Sequence, residues 1–154
     1  MKISLIVVTA LAIIAVACGK DKFQTKPTIT IKSINTEVVP ANGTFVVNLE
    51  CTDKEGDVQD SVIIIKNRLN KRIVPTIRDT IRFKFPSFPK SGRTFAEVTL
   101  TYQNIISAIT PPTIPGSNPV QKERDTLVLK FVVRDNGGNT SDTISSKVIQ
   151  VIRL

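Results

Sequence analysis

The residues with the clearest capacity for chemistry are the carboxylates in CTDKEGDVQD, residues 51–60. Asp53, Glu55 and Asp57 surround Gly56 within five positions. Calcium takes six to eight oxygen ligands from carboxylates, backbone carbonyls and water, so these side chains form a candidate calcium site. The stretch is not an EF-hand loop, because its glycine is in the fourth place rather than the sixth and no glutamate occupies the twelfth.

The pattern of this stretch occurs a second time, 82 residues further along the chain. CTDKEGDVQDSVI (51–63) aligns with VRDNGGNTSDTIS (133–145), and Asp135 takes the place of Asp53. Each copy follows one alternating strand and precedes another. In an immunoglobulin-like sandwich, the two loops would lie at the same end. We therefore expect Asp135 beside the first copy, where it completes the candidate metal set of Asp53, Glu55, Asp57 and Asp135.

The same residues also suit two purely structural turns. Aspartate accepts hydrogen bonds from backbone N–H groups a few residues further on, and glycine adopts positive φ without steric cost. The second copy keeps these turn formers but has Gly137 and Asn139 in place of Glu55 and Asp57. Turn geometry recurs while charge does not, so the sequence favours structural turns over calcium binding.

Other classes of chemistry find little support. The chain has no histidine, which excludes histidine-based acid–base catalysis and zinc sites. It has no Gly-x-Ser-x-Gly elbow and no phosphate-binding glycine loop. The formal charge is +8, but the basic residues are scattered, and one tyrosine with no tryptophan offers few platforms for bases or sugars. We expect a non-enzymatic protein that does not bind nucleic acid.

The segments before and after the two turns have the sequence pattern of β-strands. β-branched residues are abundant, the helical period is absent, and apolar residues alternate with polar ones in several runs. Residues 62–66 suit a central strand, and Ile73–Ile77, interrupted by Pro75, suits an edge. The proline-rich connection 105–122 is either a binding loop or a crossover between sheets. Seven or eight short strands predict an all-β, immunoglobulin-like (fibronectin III-like) antiparallel sandwich.

The first residues have a different plan. MKISLIVVTALAIIAVAC has a basic start, an apolar run and small residues before Cys18, as secretory signal peptides do. We predict a signal peptide at 1–17, a lipidated cysteine and tether at 18–26, and one domain at 27–154. If Cys18 carries lipid, Cys51 has no partner for an intramolecular disulfide. Cys51 ends an alternating strand and is predicted to be a small core residue.

Ala15-Val16-Ala17-Cys18 resembles the lipobox of bacterial lipoproteins. Together with the two aspartate-and-glycine turns, it resembles small surface lipoproteins of Bacteroidota with immunoglobulin-like folds. The resemblance implies acyl chains (palmitate among them) on Cys18 and attachment to the outer membrane, on its periplasmic or its cell-surface side. Two or more acyl chains hold a protein stably to a bilayer. Lys54 stands where that family often has glycine, which counts against a metal role.

Some strands carry apolar residues on both faces, which predicts an interaction surface. If Leu127 and its alternating partners face the core, Val128 and Val132 face outward, and we expect Ile149 and Val151 to belong to the same exposed patch. Such patches often mark binding sites. The sequence thus predicts a lipid-anchored accessory or interaction subunit of an outer-membrane protein complex, without a cofactor beyond the covalent lipid. The alternative is a calcium- or glycan-binding surface module.

Overall fold

The computed structural model describes residues 26–72, 79–85, 89–106 and 111–153. The predicted signal peptide, Cys18 and all of the tether except Lys26 lie outside these residues, as does the predicted edge strand Ile73–Ile77. None of the helical structure in the described ranges is long and apolar enough to cross a membrane.

Eight strands and one short helix make up the described chain: β1 Thr28–Ile34, β2 Val38–Val39, β3 Thr44–Thr52, β4 Ser61–Arg68, β5 Asp79–Lys84, β6 Arg93–Thr101, α1 Tyr102–Ile105, β7 Asp125–Arg134 and β8 Ile144–Val151. They form a three-stranded sheet in the order β1-β3-β6 and a five-stranded sheet in the order β2-β8-β7-β4-β5. Every pairing is antiparallel except that of β2 with β8.

Alternation in the sequence explains why these segments pack as two layers. In β3, Phe45, Val47, Leu49 and Cys51 are fully buried, while the residues between them are not. Strand β7 alternates in the same way, and successive side chains of a strand point to opposite faces. The two inward faces enclose a single core with Phe45 and Phe131 as its largest fully buried side chains.

This topology confirms the predicted immunoglobulin-like sandwich. The first aspartate-and-glycine turn joins β3 to β4, and the second joins β7 to β8. Each turn passes from one strand to the next at the same end of the domain, and the two turns are directly bonded through Asn136 N and Asp57 O at 3.1 Å. Connection 105–122 leads from β6 in one sheet to β7 in the other, which is a crossover between sheets.

One part of the predicted interaction patch is wrong. Ile149 and Val151 have no exposed surface and belong to the core. Strand β8 is paired so that Ile149 lies opposite Leu127, which itself faces the core. Directly opposed residues of an antiparallel pair share a face, so this register buries Ile149 and turns Val148 outward.

Candidate functional sites

The first turn, residues 53–60, is organised around Asp53. Its Oδ2 accepts the backbone N–H of Asp57 at 3.2 Å, and its carbonyl accepts Gly56 N at 3.3 Å. Gly56 has φ of +68°, a conformation that glycine adopts without a Cβ clash. The side chain of Asp53 is therefore a turn former, as the sequence indicated.

The second turn, residues 135–142, repeats this arrangement. Asp135 Oδ1 accepts Asn139 N at 2.7 Å, and the Asp135 carbonyl accepts Gly138 N at 3.2 Å, with Gly138 at φ +88°. The side chains differ at one place: Asn139 Nδ2 donates to Asp135 Oδ2 at 2.9 Å, whereas the first turn has a second carboxyl, that of Asp57, within hydrogen-bonding reach of Asp53. Both carboxylate oxygens of Asp135, which is only 1% exposed, are therefore hydrogen-bonded.

The first turn leaves carboxylate oxygens without such partners. Asp53 is 5% exposed, and its Oδ1 is buried with no hydrogen bond; Asp57 Oδ1 is in the same situation. The Asp53 carboxyl within hydrogen-bonding reach of Asp57 raises the pKa of Asp57, and burial and the negative charges of Asp135, Asp53 and Glu55 add to that rise. Negative charge is thus concentrated where the two turns meet.

Of the four predicted metal ligands, the structure gathers Asp53, Asp57 and Asp135 at one end of the sandwich, while Glu55 is exposed on the outside of the first turn. The oxygens of Asp135 are already occupied by Asn139. Within the described ranges, no group of three or more cysteine or acidic side chains is placed so as to hold a metal ion by itself. The open oxygens here are those of Asp53 and Asp57.

The outward face of the five-stranded sheet is rich in apolar side chains. Ile63 lies directly opposite Val132, and Val128 lies directly opposite Val148. Val148 is 47% exposed, and the other three are half-buried. We call this surface, with Ile65 added, the apolar face. It retains Val128 and Val132 from the predicted patch and replaces Ile149 and Val151 by Val148.

The outward face of the three-stranded sheet has the opposite character. Glu50, in its central strand, forms ion pairs with Lys32 of β1 at 2.6 Å and with Arg93 of β6 at 2.8 Å. The hydrogen bond from Lys32 is the main cause of the lowered pKa of Glu50; burial opposes it, and the charges of Arg93 and Lys32 add smaller contributions that lower the pKa further. Threonines make up much of the rest of this face, on which Val46 is half-buried and Phe95, directly opposite Glu50, is exposed.

A cleft of about 470 Å³ opens between the outer strands β5 and β6, which belong to different sheets. Phe83, Phe85, Val98 and Phe95 contribute to its lining, and Phe95 is 67% exposed. Sequence reasoning missed this feature. The outward position of Phe95 in the alternation of β6 was a signal for an exposed ring, but pairing alone decides that β5 and β6 are both sheet edges.

Cys51 is fully buried at the end of β3, two residues before Asp53. Burial, with a smaller contribution from the charge of Glu50, raises the pKa of its thiol to about 12. The protonated, enclosed sulfur is a core group and not a nucleophile, because the thiolate is the reactive form.

Comparison with known proteins identifies no family for this chain. No family model and no curated protein matches its sequence. Among solved structures, a β-glucosidase from Kluyveromyces marxianus aligns with 84% of this chain at 9% identity and a TM-score of 0.42, and the chain spans 15% of that enzyme. A cohesin module of a Clostridium perfringens family 33 glycoside hydrolase aligns with 83% of this chain and 98% of its own length, at 15% identity and a TM-score of 0.34.

Proposed function

We propose that this chain is a lipid-anchored, non-enzymatic envelope lipoprotein that acts as an accessory or interaction subunit of an outer-membrane protein complex. The lipobox-like Ala15-Val16-Ala17-Cys18 supports the anchor. With its lipid on Cys18, the short tether to residue 26 would hold the domain within roughly 26 Å of the membrane, at about 3.3 Å per extended residue.

The difference between the two outward faces is the observation that carries this proposal. Ile63, Ile65, Val128, Val132 and Val148 share the outward face of one sheet. On the other sheet, ion pairs and threonines predominate, and Val46 and Phe95 are apolar side chains among them. Both sheets already bury an inward face in the common core, so the fold has no need of a second apolar face. Lys130 lies between Val128 and Val132 on this face, directly opposite Ile65, so a basic side chain borders the apolar ones. Exposed apolar patches often mark protein partner sites.

Affinity purification of the full chain from gently solubilised membranes tests the proposal. The double variant Val128→Asp/Val132→Asp should lose a co-purifying membrane protein that the unaltered chain retains, because a carboxylate in a desolvated interface is strongly unfavourable. Val46→Asp is the matched control, since Val46 is also a half-buried, outward-facing valine in an interior strand, on the other sheet.

Retention of the partner by Val46→Asp and its loss in the double variant would support the apolar face as the binding surface. Equal recovery of partners by all three chains would contradict it. A second experiment examines the anchor separately: Cys18→Ser should release the chain from the membrane fraction. A Cys18→Ser chain that stays in that fraction would refute lipid attachment without bearing on the apolar face.

A glycan-binding surface module is the second candidate, and Phe95 is the observation that favours it. An exposed aromatic ring beside a cleft can pack against the apolar face of a sugar. If this function is correct, Phe95→Ala should abolish retention of the full chain on immobilised envelope polysaccharide, while Val128→Asp/Val132→Asp should not. Equal retention of Phe95→Ala and the unaltered chain would exclude the cleft as the glycan site.

A further inference from the structure

The junction of the two turns contains an electrostatic imbalance that the fold itself does not resolve. Buried carboxylates in proteins are normally hydrogen-bonded or paired with a cation, because an uncompensated buried charge is strongly unfavourable. Asp135 follows this rule, since both its oxygens accept bonds from Asn139. Asp53 does not: it is 5% exposed, and one of its oxygens is buried with no partner.

The equivalent positions Asp57 and Asn139 explain the difference. In both turns this residue donates its backbone N–H to the leading aspartate. Asn139 also donates its side-chain amide to Asp135. Asp57 as a carboxylate has no such donor: its carboxyl lies within hydrogen-bonding reach of that of Asp53, and its own Oδ1 is a second buried oxygen for which the ionised pair supplies no donor. The first turn therefore holds two acceptors at the place where the second turn holds a donor and an acceptor.

We propose that Asp53 and Asp57 bind a divalent cation of the calcium class between the open oxygens of their carboxylates, where the first turn meets the second. The site offers only oxygen ligands, which hard cations such as calcium prefer. A bound cation would partner the open Asp53 oxygen in the first turn, as the neutral side-chain amide of Asn139 partners Asp135 in the second. This inference does not depend on the proposed partner of the apolar face.

The expected affinity follows from the number of protein ligands. Two carboxylates fall short of the six to eight oxygens that calcium takes, so backbone carbonyls and water would have to supply the others. Calcium sites in extracellular modules have dissociation constants of about 10⁻⁴ to 10⁻³ M. We place this site in that range, which suits a protein outside the cytoplasm.

Thermal unfolding of the full chain in mild detergent, first with chelator and then with added calcium, tests the site. At calcium concentrations about ten times the dissociation constant, the folding equilibrium should shift about tenfold, which raises Tm by about 4 °C. Magnesium should have a smaller effect, because it gives up its water ligands reluctantly. Calorimetric titration of the same sample should give a stoichiometry near one.

Two variants separate this site from general charge effects. Asp57→Asn should fold, be more stable than the unaltered chain in chelator, and lose the calcium response, because its amide can bond Asp53 as Asn139 bonds Asp135. Asp142→Asn removes an equal charge from the same end of the domain, at an exposed side chain paired with Lys26, and should keep the response.

Three outcomes would overturn the proposal: no calcium response in the unaltered chain, an equal response in all three chains, or a stability increase on acidification without a calcium response. The last would mean that a shared proton only, and no metal ion, joins Asp53 and Asp57. A response present in the unaltered chain and in Asp142→Asn, but absent in Asp57→Asn, would support the cation site.

Discussion

The first turn (residues 53–60) and the second turn (residues 135–142) share two hydrogen bonds to the leading aspartate but differ in how that carboxylate is partnered. In each, an aspartate carboxylate accepts an N–H four residues on, and a glycine with positive φ completes the bend. The second turn is internally satisfied by Asn139, whereas Asp57 leaves the first with open oxygens. The same backbone motif thus forms a turn whose leading carboxylate is fully hydrogen-bonded when asparagine (Asn139) follows four residues on. It forms a candidate ligand site when aspartate (Asp57) stands there.

The glycines of the two turns should differ most in their tolerance of a side chain. A Cβ on Gly56 would lie 3.0 Å from the backbone nitrogen of Ser91, whereas one on Gly138 would meet only the movable end of Arg134 at 3.4 Å. We expect Gly56→Ala to destabilise the fold by about 3 kcal/mol, from left-handed strain plus overpacking, and Gly138→Ala by about 1–2 kcal/mol, from strain alone.

Chemical denaturation of the two alanine variants measures this difference directly. The expected difference in stability arises because the segment at Ser91 packs against the first turn, where Ser91 N donates to Gly56 O at 3.2 Å. Equal destabilisation by the two substitutions would show that this contact does not restrict the first turn.

Asn139→Asp should give the second turn the same pair of facing carboxylates that Asp53 and Asp57 form in the first. It replaces the amide donor to Asp135 by a carboxylate, which leaves the buried Asp135 Oδ2 without its partner. Loss of a buried partner in this way costs about 1–3 kcal/mol. Denaturation at neutral pH in the presence of chelator is the measurement. Unchanged stability would contradict the role assigned to the Asn139 side chain.

The smallest expected effect concerns the residue two positions before each turn, which is Cys51 in the first and Val133 in the second. Both are fully buried, so Cys51→Val places the valine of the second turn at the equivalent position of the first. It should change the free energy of unfolding by less than about 1.5 kcal/mol, as volume-conserving core swaps do.

In the unaltered chain the Cys51 thiol, with its pKa raised to about 12, should resist a thiol reagent at pH 8 until the domain unfolds.

Labelling at a range of denaturant concentrations tests the position of Cys51. The labelling rate should follow the unfolded fraction of the domain. Rapid labelling under native conditions would show that the end of β3 opens locally and that the first turn is less rigid than its hydrogen bonds indicate.

The strands and the juxtaposition of the turns were predictable from the sequence. Phe45, Val47 and Leu49 alternate cleanly with polar residues, so only one face of β3 can be buried. The repeated aspartate and glycine positions then placed both turns at one end, and the bond from Asn136 N to Asp57 O confirms that they are neighbours.

The orientation of β8 was not predictable in the same way, because apolar residues stand on both of its faces. Its register follows from pairing with β7, including an irregularity between Val128 and Lys130. A one-residue change of register exchanges the two faces of a strand, which is why Ile149 and Val151 were assigned to the surface although they are buried.

The sequence by itself determined the class of fold, the turn-forming role of Asp53 and Asp135, and the burial of Cys51, because these depend on local chemistry and on a period of two. Only the folded structure decided which carboxylate oxygens are satisfied, since sequence spacing does not say whether a donor four residues away, such as Asn139 Nδ2, comes within about 3 Å. It also decided that Val148 and not Ile149 joins the apolar face, and that β5 and β6 leave a cleft between them. The position of Val148 and the cleft arise from long-range strand pairing, which local composition does not encode.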